Sequence, residues 1–204
     1  MIAIEPKAPR DYVELPTMPS SWRVLDVGPG AYPLQRADVY LDHDPDKLEA
    51  LTLEGKETIV ANLADGLPEI SDKYFDFVWC SHVLEHVDAP GQCAATLSRI
   101  AHRGVLVVPS AIKESLFNFE EPEHQWLILP SPSGGPPVFV RHNRRWMDRI
   151  KDIDIQKIMC RTFRTGTGPD TLDDQYCRTW FAVHEPDLDI IVHWEGELKV
   201  QVIG

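Results

Sequence analysis

Apolar residues along this chain fall into short runs broken by polar turns, at the spacing of alternating strands and helices. Five runs, Trp22–Val27, Val39–Leu41, Thr58–Ala61, Phe75–Cys80 and Gly104–Val108, predict strands. The last three are almost continuously apolar, the pattern of strands covered on both faces. Between Asp88 and Ala101 the period lengthens. Apolar or small residues recur at Cys93, Ala94, Leu97, Ile100 and Ala101, near the helical repeat. Asp46–Glu54 is a second helix candidate. Strands alternating with helices predict an α/β fold, a mostly parallel sheet with helices on both faces.

The flanks read differently. Residues 1–21 carry Pro6, Pro9, Pro16 and Pro19 and predict an arm or lid, not a strand or long helix. Residues 109–137 read as an insertion or lid loop, holding Glu120 to Trp126 and then Ser131 to Pro137. Long loops rich in proline and glycine inside compact domains often carry function. A helix is predicted from about Asn143 to Lys151. The tail predicts strands over Arg178–His184, Ile190–Trp194 and Leu198–Ile203, and its alternating apolar residues could pair between subunits. A length of 204 residues suits one packed domain over 1–204.

Composition narrows the function. The net charge of −12, from 20 basic and 32 acidic residues, opposes a nucleic-acid partner. Cys80, Cys93, Cys160 and Cys177 show neither zinc nor disulfide spacing and read as reduced thiols. No apolar run approaches the roughly 18 residues of a membrane span. Met1 to Glu5 lacks the start of a secretory signal. The expectation is a cytoplasmic protein without a membrane partner.

The candidate chemistry begins at Val24-Leu25-Asp26-Val27-Gly28-Pro29-Gly30, an apolar strand running into a glycine-rich turn. Glycine lets the backbone approach a ligand, and its N–H groups can hold an anionic group. The next strand ends on Asp42, where nucleotide-type folds place a carboxylate for ribose hydroxyls. The dinucleotide fingerprint is absent, since no third glycine follows Gly30. Only seven residues separate Gly30 from Asp38, with Pro33 among them. A full crossover needs about ten or more. The usual helix must therefore shrink to one turn or a bare loop, which reshapes the ligand pocket.

His82-Val83-Leu84-Glu85-His86 matches the inverted zinc-protease pattern H-x-x-E-H. That chemistry needs both histidines on one helical face. Here the motif follows a strand directly, with Pro90 close behind, so a strand–loop junction and no metal are expected. Zinc hydrolysis remains the outlying alternative. His82 and His86 could act as general bases, or His86 could be a capping or core histidine. His124, beside Trp126 in the long loop, is a second base candidate or a surface histidine. Arg141, Arg144, Arg145 and Arg149 form a local basic run. On a helix, Arg141, Arg145 and Arg149 share a face that could bind an acceptor's phosphate or carboxylate, or pair with Asp148 and Asp152.

Residues 25–30, Asp42, Ala61-Asn62-Leu63, Leu67-Pro68 and the run from Phe75 to Val87 resemble the class I S-adenosylmethionine (SAM)-dependent methyltransferases. The likeness is to the small-molecule, type 11-like branch and covers roughly residues 22–110. It implies a Rossmann-like, doubly wound, mostly parallel seven-stranded sheet with a C-terminal antiparallel hairpin at one edge. It implies SAM as cofactor and S-adenosyl-L-homocysteine as product. Gly28 and Gly30 would pass the methionine part of SAM. Asp42, with Asp44 as the alternative, would accept from the ribose hydroxyls. Asn62 would accept from the adenine amino group, and Leu63 would offer its N–H to the ring. Asp26 and Ser81 complete the implied cofactor set, and His82 and His124 are the catalytic candidates. The implied acceptor is a small molecule or glycan, with oxygen slightly favoured. The other reading is a SAM-fold binding protein without catalysis, suggested by the short segment after Gly30 and by Asn62, where an acid is usual.

Overall fold

The computed structural model describes residues 9–114, 124–131, 133–142, 183–184 and 186–204. The expected Asn143–Lys151 helix, Arg144, Arg145, Arg149, Cys160, Cys177 and most of the expected Arg178–His184 strand lie outside them. A one-turn helix α1 (Pro9–Tyr12) precedes strands β1 (Val24–Val27) and β2 (Val39–Asp42). Helix α2 (Pro45–Leu53), β3 (Glu57–Val60), β4 (Phe77–Ser81), α3 (Pro90–Ile100) and β5 (Arg103–Pro109) follow. The short α4 (Ala111–Lys113), β6 (Trp126–Leu129), β7 (Val138–Arg141), β8 (Asp189–Glu195) and β9 (Gln201–Ile203) complete the described elements.

Among the described residues, six strands form one sheet in the order β3-β2-β1-β4-β5-β8, parallel except for β8. Its side chains alternate as the strand period requires. Leu25, Val27, Val78, Cys80, Leu106 and Val108 face one side, which the α3 residues Cys93, Ala94, Leu97 and Ile100 cover. Val24, Tyr40, Phe77, Trp79, Val105 and Val107 face the other, covered by Leu48 and Leu51 of α2. Val13 is buried in this second layer, and Leu15, Met18 and Trp22 pack against it. The N-terminal arm is thus a cover for the sheet face where a helix after β1 would ordinarily lie.

Two expectations are corrected. Among the described residues the main sheet holds six strands with antiparallel β8 at one edge, and most of the expected Arg178–His184 strand lies outside them. After β8 the chain turns at Gly196, and Leu198 N–H bonds to Ser98 Oγ on α3 at 2.8 Å. That contact carries the chain past α3, and β9 then pairs in parallel with β7. Residues 109–137 are not one irregular lid. Trp126–Leu129 pairs antiparallel with Val138–Arg141, and Trp126, Ile128 and Phe139 join the core. The proline signals around this run masked its strand character. Nor is β3 covered on both faces: it is an edge strand whose two end residues are exposed.

No helix forms between β1 and β2, as the spacing requires. Side chains hold the short connection instead. Asp26 Oδ2 accepts from Leu34 N–H at 2.7 Å, Tyr40 hydroxyl donates to Leu34 O at 3.0 Å, and Asp38 Oδ2 accepts from Val24 N–H at 2.8 Å. Asp26 is 1% exposed. Burial raises its carboxyl from 3.8 to about 7, against the opposing pull of the Leu34 N–H and of Arg10.

The folded state therefore keeps a proton that the unfolded chain releases between those two values. Stability should fall as pH rises from about 4 through about 7, by at most about 4 kcal/mol at about 1.4 kcal/mol per unit. Asp26→Asn can keep the bond from Leu34 and should flatten this dependence. Urea unfolding of both proteins at pH 5 and pH 8 measures it, and an equal slope in the variant rules Asp26 out as its source.

Candidate functional site

Strand order reverses between β1 and β4, so the crevice beyond their carboxyl ends is where an open α/β sheet binds ligands. A cavity of about 640 Å³ opens there, within the usual range for small-molecule sites. Val27, Gly28 and Gly30 after β1, Leu41, Asp42 and His43 after β2, and Ala61 to Ala64 after β3 form one end. His82, Val83, His86, Val87 and Gln125 form the other, and Lys47 reaches in from α2.

The glycine turn is fixed by its neighbours. Gly28 has φ +67° and donates its N–H to Leu41 O at 2.8 Å. A Cβ on Gly28 would stand 2.4 Å from Val83 Cγ2. Only glycine lets the loop after β4 close down on the loop after β1. Gly30, also at positive φ, meets only Gly28 O, at 4.0 Å from its Cβ position.

The structure separates the two aspartates that the sequence leaves side by side. Asp44 is the N-cap of α2, its Oδ1 accepting from Asp46 N–H at 3.0 Å. Asp42 lines the cavity, its Oδ1 accepting from Asp44 N–H at 3.0 Å. Asn62 and Leu63 both line the cavity. Asn62 Oδ1 already accepts from Ala64 N–H at 2.9 Å, capping the 3-10 turn Leu63–Asp65. A carbonyl oxygen retains a second lone pair for a ligand. Asp26 and Ser81 do not line the cavity; Asp26 braces the turn from behind.

Residues 82–86 form a turn after β4, not a helix, so the zinc-protease geometry is absent there. His82, at φ +54°, directs Nδ1 to Glu85 Oε1 at 3.2 Å and Nε2 to Asp189 Oδ2 at 3.3 Å. Asp189 is fully buried and also accepts from Lys113 Nζ at 2.9 Å and from the Tyr12 hydroxyl. Burial alone would lower the His82 pKa, but the bonds to Asp189 and Glu85 outweigh it and raise it to about 9. In the imidazolium form the ring has no lone pair to offer. The ring keeps 29% of its exposure on a residue that lines the cavity, so water screens part of this effect.

His124 is not a surface residue. It is buried, with Nδ1 2.6 Å from Glu114 Oε2, and its ring meets that of His86 edge-on at 4.5 Å. Neither His124 nor Trp126 lines the cavity. Trp126 is a core residue that donates its indole N–H to Val87 O at 2.7 Å. Arg141 lies 5.0 Å from the Trp126 ring centre and 3.8 Å from Asp88. Sequence reasoning missed Glu114 and Asp189. Asp189 is 107 residues from His82, and no local pattern connects them.

Gly28→Ala should destabilise the protein by about 2 kcal/mol, from the positive φ and the overlap with Val83. Adding Val83→Ala should return the steric part and leave the backbone part. Thermal melts of the single and double variants check this, and strict additivity would show that Gly28 and Val83 do not couple.

No curated protein matches the chain. Among solved structures, a SAM-dependent methyltransferase from Archaeoglobus fulgidus shares 23% identity over 54% of this chain and 57% of its own, with a TM-score of 0.45. One from Mesorhizobium loti shares 15% over 63% of this chain and 62% of its own, with a TM-score of 0.41. The YcgJ protein from Bacillus subtilis shares 16% over 68% and 74%, with a TM-score of 0.43. The chain thus spans a little over half the length of the Archaeoglobus structure. Residues 25–108 match the family described as a methyltransferase domain, and they supply β1 to β5 and most of the cavity rim. Over these residues, fewer than half of the chain, it is similar to the SAM-dependent methyltransferases.

Proposed function

We propose that the protein transfers a methyl group from SAM to a small-molecule or glycan-type acceptor, with oxygen as the favoured acceptor atom. The observation that carries this reading is the cavity at the strand-order reversal, with the Gly28–Gly30 turn and the Asp42 carboxylate on one rim. The residues present suit SAM. The lack of a side chain at Gly30 leaves room for the methionine part, and Asp42 keeps Oδ2 and a second lone pair on Oδ1 for a diol. Leu41, Ala61, Leu63 and Val87 supply apolar walls for a purine, with Asn62 as its polar partner. When bound, SAM supplies a methyl group made electrophilic by its sulfonium.

The acceptor then belongs at the end lined by His82, His86 and Gln125. His82 helps shape that end as a clamped cation and does not take a proton. Holding the acceptor oxygen in line with the methyl carbon supplies most of what such a displacement needs. The short β1–β2 connection, the main support for an inactive binding protein, is held by Asp26, Asp38 and Tyr40 and keeps the turn braced.

Calorimetry with SAM and S-adenosylhomocysteine tests the reading. Asp42→Ala should weaken both by about 10- to 150-fold, the loss of about 1.5–3 kcal/mol expected for hydrogen bonds to a charged acceptor. Asp44→Ala should cost about 1 kcal/mol of stability through the helix cap and leave ligand affinity nearly unchanged. If Asp44→Ala does the damage instead, the ribose assignment moves to it. No binding of either ligand at millimolar concentration would reject the function.

A further inference from the structure

We propose that Glu85, His86 and His124 form a binding site for a divalent first-row transition cation at the acceptor end of the cavity. One ligand atom from each lies within 4.8 Å of the others. Two imidazoles and one carboxylate, with positions left open, are a donor set such cations favour. This revises the expectation that the chain binds no metal. It also differs from the H-x-x-E-H reading, because His124 takes the place that the spacing gave to His82.

A second, independent observation points to a cation. Glu85 is fully buried, and its Oε2 has no hydrogen-bond partner. An unpaired carboxylate oxygen away from water is costly, and a cation beside it removes the cost. The surroundings are those of a built site. Glu114, itself buried, holds His124 Nδ1 at 2.6 Å. A carboxylate bonded to a metal-binding histidine fixes the orientation of its ring. The two ligand-bearing segments are stitched together. Gln125 N–H donates to Glu85 O at 2.8 Å, and Gln125 Nε2 donates to His86 O at 2.7 Å. Positions held by such bonds keep their geometry whether or not the cation is bound.

Of the three ligands His86 lines the cavity, beside Gln125, so a cation there would meet an acceptor from the His86 side. This role rests on the methyltransferase reading. A hydroxyl bound to the cation ionises more readily and gives its proton to water. Its oxygen pair then forms the bond to the methyl carbon while the carbon–sulfur bond breaks, and that pair stays on the sulfur of S-adenosylhomocysteine. The cation thus takes the place of the missing histidine base.

The test uses the full chain stripped with a chelator and titrated with Co²⁺ and with Zn²⁺, followed by calorimetry and, for Co²⁺, visible absorption. One equivalent should bind, with ligand-field bands for Co²⁺. His86→Ala, which changes a half-buried residue, should weaken binding at least about 100-fold, and Glu114→Gln about 10- to 100-fold. The exposed His102→Ala should bind like the unaltered protein. Circular dichroism melts confirm that each variant is folded. Absence of a stoichiometric site, or equal binding by folded His86→Ala, overturns the proposal. S-adenosylhomocysteine is titrated separately into the stripped protein. Its binding without any metal site sinks this inference alone, whereas metal binding without it supports the site and sinks the methyltransferase reading.

Discussion

Lys113, Asp189, His82 and Glu85 form a buried chain of alternating charge, and the arrangement of the site depends on it. Taking one such charge out of water costs several kcal/mol unless a partner of opposite sign replaces the hydration. Here every charge has one: Lys113 Nζ meets Asp189 Oδ1, and His82 bridges Asp189 Oδ2 to Glu85 Oε1. Tyr12 adds a donor to Asp189 from the arm. Four segments far apart in sequence meet in this chain: the arm, the turn after β4, α4 and the start of β8. Burial pushes both carboxyls up, but the His82 contacts win and hold Asp189 and Glu85 below the ordinary carboxylate range.

The two ends of the cavity are built by different means. The end at the glycine turn is a backbone construction. It needs glycine at Gly28 for the approach of Val83, a strand end at Asp42, and caps that tie off Asp44 and Asn62. The end at His82 and His86 is a side-chain construction, made of histidines and carboxylates held by hydrogen bonds across the β4–β6 junction. Backbone constructions read locally in a sequence. Side-chain constructions do not, because their members come from distant segments.

The same contrast runs through the fold. The period-2 runs located β1, β2 and β5 to within a residue or two, and the helical spacing of Cys93, Ala94, Leu97 and Ile100 located α3. Ile190–Trp194 and Leu198–Ile203 both read as strands, and they hold β8 and β9. Strand character does not choose a partner, and the contacts of Leu198 along α3 sent β9 to β7.

By itself the sequence determined the β1 glycine turn, the carboxylate after β2, the absence of a helix between them and the methyltransferase likeness of residues 25–108. Each of these is a matter of backbone geometry over a few consecutive residues. Tertiary structure alone decided that Asp42 and not Asp44 lines the cavity, since that depends on which of them caps α2. It alone decided that His82 bridges Glu85 and Asp189 and that the His124 ring meets that of His86 edge-on. The protonation and accessibility of a histidine follow from the charges packed around it. Glu114 and Asp189, the carboxylates that matter here, come from segments that local spacing does not connect to these histidines.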